Sequence, residues 1–196
     1  TVKVSEELLY DSVFNLEAYI SQEFARRIGS LEEEAFLVGD GTGKPTGVFN
    51  SAKTGVTATS AEAITFDEIF DLFYSLKSAY RKNGIWICND TTIKALRKIK
   101  DANGQYLWQP SASAATPDML LNRPIKTSSY APEIGTGKTP IIFGDFSYYW
   151  IADRQGRSFK KLAEIYSETD EVGFKTTERV DGKLLLPEAV QALKMA

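Results

Sequence analysis

From Ser12 to Leu37, apolar side chains return every three or four residues. Leu16, Ile20, Phe24, Ile28, Leu31 and Ala35 therefore fall on one face of a helix. Glu17, Gln22, Glu23, Arg26, Arg27, Glu32 and Glu33 fall mostly elsewhere around it. Such a helix would be about 39 Å long at 1.5 Å per residue, where globular helices average only about 11–12 residues. It is either a spine that other elements lie across or one long core helix, and spacing alone does not choose. Gly29 costs it about 1 kcal/mol relative to alanine. Gly39 is suited to a left-handed C-cap. Asp40-Gly41-Thr42-Gly43, Pro45 and Gly47 then turn the chain, so Glu32–Asn50 (EEEAFLVGDGTGKPTGVFN) is the joint around which the rest is organised.

The 196 residues suffice for one domain or two small ones. A hydrophobic content of 43% against 25% charged residues is the balance of a folded globular chain, and the net charge of −3 gives no support to nucleic-acid binding. There is no histidine. That removes serine–histidine and cysteine–histidine catalysis and every histidine-containing zinc site. Cys88 is the single cysteine, so no intrachain disulfide forms, and its run Ile85-Trp86-Ile87-Cys88 reads as a buried, inert thiol. No apolar run reaches the roughly 18 residues of a membrane span. The chain begins without methionine in a strand already under way, which reads as a processed or trimmed fragment.

Val2 and Val4 suggest a strand, and Ser5 caps a short helix. After the long helix, Ser51–Ala63 reads as a loop or exposed hairpin and a boundary. Thr65-Phe66-Asp67-Glu68 is a capping box opening a helix that runs to Tyr80 and stops at Asn83-Gly84. Ile85–Cys88 reads as a strand. Asp90-Thr91 opens a helix with Ile93, Leu96 and Ile99 inward and Lys94, Arg97, Lys98 and Lys100 outward, a basic face of the ordinary solvated kind. Asp101–Gly104 is a turn, Gln105–Pro110 carries Tyr106 and Trp108, and Ser111–Pro117 is loop-like. Ile125–Ser129, Pro140–Phe143, Phe159–Tyr166, Gly173–Val180 and Lys183–Leu186 read as strands. Asp181-Gly182 signals a hairpin turn between the last two. Val190–Met195 finishes as a strand or a helical turn. The aromatic run Tyr148-Tyr149-Trp150-Ile151 reads as core rather than as a stacking platform.

Two strings imitate a phosphate-binding loop. Where the motif begun at Gly39 needs glycine, Lys44 stands, and the position upstream of Gly137-Lys138-Thr139 that needs glycine is Pro132. A strand, not a helix, follows Thr139, so no helix N-terminus faces a phosphate. Neighbouring carboxylates occur at Glu32/Glu33/Glu34, Asp67/Glu68/Asp71 and Asp170/Glu171, but none sits in a pattern that would raise its pKa by burial. The spacing in Glu168–Glu171 does not match a calcium loop. No residue is nominated as catalytic, cofactor-binding or metal-binding, and no cofactor is expected.

Taken together, the strings are more specific than any one of them. They run from Glu34-Ala35-Phe36 through Gly39-Asp40-Gly41-Thr42-Gly43-Lys44-Pro45-Thr46-Gly47 to Trp86 and Asn89. Leu96-Arg97-Lys98-Ile99-Lys100-Asp101, Gly104-Gln105-Tyr106-Leu107 and Leu121-Asn122-Arg123-Pro124-Ile125 follow. Ile142-Phe143-Gly144-Asp145-Phe146, Asp153-Arg154, Arg179-Val180-Asp181-Gly182 and Pro187-Glu188-Ala189-Val190 complete the series. In this order they resemble the major capsid proteins of tailed phages of the Hong Kong 97 type, over nearly the whole chain.

The resemblance implies an α+β fold. A peripheral domain, 1–58 and 151–186, would hold the spine helix and an antiparallel ribbon. An axial domain, 59–150 and 187–196, would hold a mixed sheet with flanking helices. The N-terminal arm and extended loop of the family would be absent from this chain. The implied function is a structural subunit of a phage or prophage shell, self-assembling into pentamers and hexamers around DNA, located in the virion and assembled in the host cytoplasm. Expected partners are further copies of itself and the portal, protease or scaffold proteins of the phage, with no sequence-specific nucleic acid and no membrane. An encapsulin-like compartment shell and a carboxylate-dependent soluble enzyme are the competing readings. Some members of the family carry lysine–asparagine cross-links. Here Phe174-Lys175-Thr176-Thr177 lacks the asparagine, so none is expected. Glu32, Glu33 and Arg179, on the polar flanks of helix and ribbon, are the expected subunit contacts.

Overall fold

The computed structural model describes residues 1–101, 103–108, 119–154 and 156–196. The loop expected at Ser111–Pro117 lies outside them, as do Gln109 and Pro110. In chain order the elements begin with β1 (Val2–Ser5), α1 (Glu6–Asp11), α2 (Leu16–Val38), α3 (Val48–Ser51), β2 (Lys53–Thr57) and α4 (Phe66–Ser75). Then come α5 (Ser78–Arg81), β3 (Ile85–Cys88), α6 (Asp90–Arg97), β4 (Met119–Leu120), β5 (Arg123–Thr127) and β6 (Ile141–Gly144). The chain ends with β7 (Tyr149–Asp153), β8 (Ser158–Leu162), β9 (Glu171–Thr177), β10 (Val180–Leu184) and β11 (Val190–Lys194).

These elements form two compact units, 1–34 with 151–181 and 35–150 with 182–196. The chain crosses between them inside α2, inside β7 and inside β10. Residues 35–58 and 182–186 thus pack with the larger unit, where the family pattern grouped them with the helix.

In the smaller unit β9 runs between β1 and β8, antiparallel to both. Alternation along β9 points Val172 and Phe174 to one face, where they are buried with Ile20 of α2. Phe159 stacks on Phe174 at 5.8 Å, and Phe24 meets Phe159 edge-on at 6.1 Å. On the other face Tyr166 lies over Gly173, where a Cβ would come within 2.5 Å of the ring. The helix starts at Leu16 and not at Ser12, because the Asn15 side chain accepts from the Ala18 amide at 3.0 Å and so fixes the N-cap. Leu31, expected on the inward face, is 66% exposed.

The larger unit is built on a mixed sheet in the order β2-β11-β6-β3-β5-β4. Its central strands β6 and β11 are buried on both faces, as continuous apolar runs such as Ile141-Ile142-Phe143 require. On one face Trp86 and Phe143 stack at 4.2 Å with Phe73 of α4 beside them, and Trp86 Nε1 donates to the Leu120 carbonyl at 2.9 Å. On the other face Val48 and Phe49 pack against Ile142, Val190 and Ala192. The Thr65 capping box forms as expected, but the helix breaks at Leu76 before the single turn of α5. The expected loop at Ser51–Ala63 holds β2, which pairs in parallel with β11.

Asp181-Gly182 is not a turn. Both residues lie inside β10, paired with β7. Glycine is required at 182 because a Cβ there would come within 2.6 Å of the Tyr149 hydroxyl and 2.9 Å of the Phe36 ring.

Two glycines make opposite predictions. A Cβ on Gly47 would lie 2.5 Å from the Gly39 nitrogen and the Leu37 oxygen, whereas one on Gly29 meets nothing within 4 Å. Gly47→Ala is expected to destabilise the larger unit by about 1–3 kcal/mol or more, lowering the melting midpoint read by its tryptophans. Gly29→Ala is expected to stabilise α2 by about 1 kcal/mol, read by circular dichroism. Equal effects would refute this account of the joint.

Candidate assembly surface

The glycine-rich loop after α2 binds itself. The Gly47 amide donates to the Gly39 carbonyl at 2.8 Å, Thr46 N–H to the Gly182 carbonyl at 2.9 Å, and Thr42 N–H to Asp40 Oδ1 at 2.9 Å. These three amides are therefore spent on internal partners rather than gathered around an anion. Asn50 Nδ2 donates to the carbonyls of Val38 and Gly39, both at 2.9 Å, satisfying the helix end that the sequence assigned to a left-handed glycine. Gly39 does not have positive φ. It is needed because a Cβ would collide with the carbonyl oxygens of Ala35 and Pro45.

The remaining chemistry-bearing groups are structural. Cys88 is buried, and desolvation followed by the Asp90 charge pushes its thiol up to about 12, so it stays protonated at neutral pH. Burial pushes Glu68 up, but the Thr59 and Thr65 backbone N–H groups at 2.8 and 2.9 Å outweigh it and hold the carboxyl below its ordinary range. It clamps the loop before α4. Glu171 is lowered by Lys3 at 3.1 Å and then by Thr169. Among the described residues no three acidic or cysteine side chains are disposed to hold a metal.

The surface instead exposes large apolar groups. Tyr10 is 83% exposed, and Leu8, Val13, Phe14 and Tyr19 are also exposed around α1 and the start of α2. Phe14 and Tyr19 meet edge-on at 6.1 Å. In the larger unit Tyr74, Trp150 and Leu185 are exposed, Trp150 by 65%. The aromatic run around Trp150, read as core, is only half so. Tyr148 and Tyr149 are partly buried against Ile142 and Val190, while Trp150 and Ile151 are both exposed. Exposed aromatic and aliphatic side chains of this size are the common anchors of protein–protein contacts.

The expected polar contacts redistribute. Glu32 is not free for a neighbour. Arg157 binds it and also Glu178, the latter at 2.7 Å from Nε. The Glu178 Oε2 atom is buried without a hydrogen-bond donor. Glu33 and Arg179 are exposed, and the Arg179 carbonyl accepts from the Arg154 amide at 2.9 Å.

Burial first, then the charge of Glu178, raises the pKa of Glu32, and Arg157 only partly counters it with Asp153 nearby. A carboxyl raised in the folded state binds its proton more tightly there than when unfolded. Its charged form therefore costs stability at neutral pH, and that cost is relieved as pH falls through its folded pKa towards the ordinary value of 4.5. Glu32→Gln, which mimics the protonated form and supplies Glu178 with a donor, is expected to melt no lower than the parent at pH 7, with its advantage gone by about pH 4. A melting point lowered at pH 7 and restored in acid would reverse the sign assigned to Glu32.

The model of the phage capsid family matches residues 1–195. The major capsid protein of Klebsiella oxytoca phage phiKO2 is 27% identical over 184 residues, 86% of this chain and 42% of that protein. The chain thus spans about two fifths of that curated relative. Among solved structures, the capsid of the empty GTA particle is 32% identical with a TM-score of 0.90, covering 100% of this chain and 71% of that one. The SrpI encapsulin of Synechococcus elongatus PCC 7942 shares the fold at 13% identity and a TM-score of 0.73, covering 98% of this chain and 71% of its own. These matched proteins are shell proteins and not enzymes. The mixed helix-and-sheet architecture is the Hong Kong 97 fold, and the chain belongs to the phage capsid family.

Proposed function

We propose that the protein is the repeating structural subunit of an icosahedral phage or prophage shell, self-assembling into pentamers and hexamers that enclose DNA. The observation that carries this reading is the correspondence along the whole chain with a particle capsid. The surface supports it. Side chains such as Tyr10, Val13 and Trp150 are costly to leave in water, and burial against neighbouring copies removes that cost. Contacts repeated head-to-tail close into rings, and modest contacts become strong by multiplicity. On this reading the smaller unit is the peripheral domain, the larger unit is the axial domain, and the virion is where the protein resides. Portal, protease or scaffold proteins are its further partners during assembly in the bacterial cytoplasm.

Electron microscopy of the full-length protein tests the reading. Closed shells containing nucleic acid support it, whereas shells filled with a protein cargo would favour the compartment reading. Small oligomers that persist at high concentration would overturn both. Trp150→Ala is expected to raise the concentration needed for assembly at least about tenfold, the size of an interface hot spot, without lowering the melting point of the unassembled subunit. Unchanged assembly would remove Trp150 from the contact surface.

A further inference from the structure

Inside the smaller unit, Arg157 is held by two carboxyl groups from distant parts of the chain. Its Nη2 donates to Glu32 Oε2 from α2, and its Nε donates at 2.7 Å to Glu178 Oε1, between β9 and β10. One guanidinium therefore faces two formal negative charges. The two carboxyl side chains are mostly covered, 17% exposed for Glu32 and 11% for Glu178, whereas Arg157 is 51% exposed. Water thus relieves the cation more readily than the anions. The Glu178 Oε2 atom is buried without a hydrogen-bond donor, and a buried acceptor left so is more costly when it is charged.

The charged groups around this trio do not correct the imbalance. Asp153, at the end of β7, adds a further negative charge near Glu32. Arg154, Lys160 and Arg179 stand with Glu178 around a common cavity without supplying the missing donor. Glu33, next to Glu32 on α2, is exposed. A protonated Glu32 does supply the donor, since its carboxyl then hydrogen-bonds Glu178. Burial and the Glu178 charge both favour that form.

We propose that Glu32 and Glu178 share one proton, forming a pH-sensitive latch between the second half of α2 and the bend that joins β9 to β10. With the proton bound, the Glu32 hydroxyl donates to Glu178 Oε2, Glu178 Oε1 keeps Arg157, and the trio is neutral overall. With the proton lost to water, two carboxylates compete for one guanidinium and Oε2 has no donor, so the latch loosens. The closed trio binds the proton more tightly than the opened one. The latch is therefore tightest in mild acid and weakens as pH rises through the folded pKa of Glu32. An ordinary carboxylate–cation pair behaves in the opposite way and fails in acid, as Lys3–Glu171 in the same unit does because its carboxyl is lowered. The latch belongs to the single chain and does not rest on the shell reading.

Carboxyl carbon-13 shifts followed against pH in the unassembled full-length subunit test it. The Glu32 resonance, assigned by its loss in Glu32→Gln, is expected to titrate above the ordinary 4.5. In Glu178→Gln the second charge is gone and the amide brings its own donor, so the Glu32 midpoint is expected to fall by at least about one unit, the size of a coupled titration. A midpoint that does not move overturns the shared proton, because burial alone would then be what raises Glu32. Hydrogen exchange gives a second reading that does not need the Glu178→Gln variant to fold. Protection of the amides of residues 174–178, taken relative to Glu32→Gln, is expected to rise from pH 7 to pH 4.5, about tenfold for each unit by which Glu32 is raised. Relative protection that stays flat or falls towards acid overturns the latch.

Discussion

Everything in the smaller unit depends on how a helix of 23 residues is held by a sheet of three short strands. Only Ile20 of α2 is fully buried. The helix is fixed by a small aromatic contact, Phe24 against Phe159 against Phe174, with Val172 and Ile20 beside it. Removing Phe174 would open a cavity at that point, where truncations of buried phenylalanine commonly cost about 3–5 kcal/mol. Beyond it the Arg157 pair does not fully offset the cost of charging Glu32, and the helix keeps the exposed Glu17–Lys161 pair with β8. Exposed pairs of this kind contribute little each. A helix so sparsely covered yet so long is more easily understood as an element with further neighbours.

The exit from that helix has a different logic. Residues 39–50 spend their polar groups on one another and on the end of α2, and two glycines bring backbone to within contact of backbone. The result is a closely packed loop within the larger unit, where β6 and β11 are buried on both faces and Trp86, Phe143 and Phe73 stack.

Local signals were legible in the sequence, and long-range ones were not. The periodicity of α2 and the capping box at Thr65 involve neighbours within four residues, and both appear in the structure. β2 was missed because Lys53–Thr57 is a poor strand by itself and becomes one only beside β11, at the other end of the chain. Asp181-Gly182 was misread because the same dipeptide marks either a turn with positive φ or a place where other side chains press on the backbone, here Tyr149 and Phe36. Glu32 was assigned to an outer face although its partner stands 125 residues away. Trp150 and Ile151 were assigned to core because hydrophobicity reports that a side chain leaves water, not whether its own chain or another covers it.

The central claim is that the open face of the smaller unit is finished by other copies. Hydrogen exchange measured along α2 tests this most directly, in the unassembled subunit and in assemblies of the full-length protein. The account predicts rapid exchange around Tyr19 and Leu31 in the subunit and protection rising at least about tenfold on assembly, the amount that 1.4 kcal/mol of added local stability supplies. Equal exchange in both states would contradict it, because α2 would then owe its order to this chain alone.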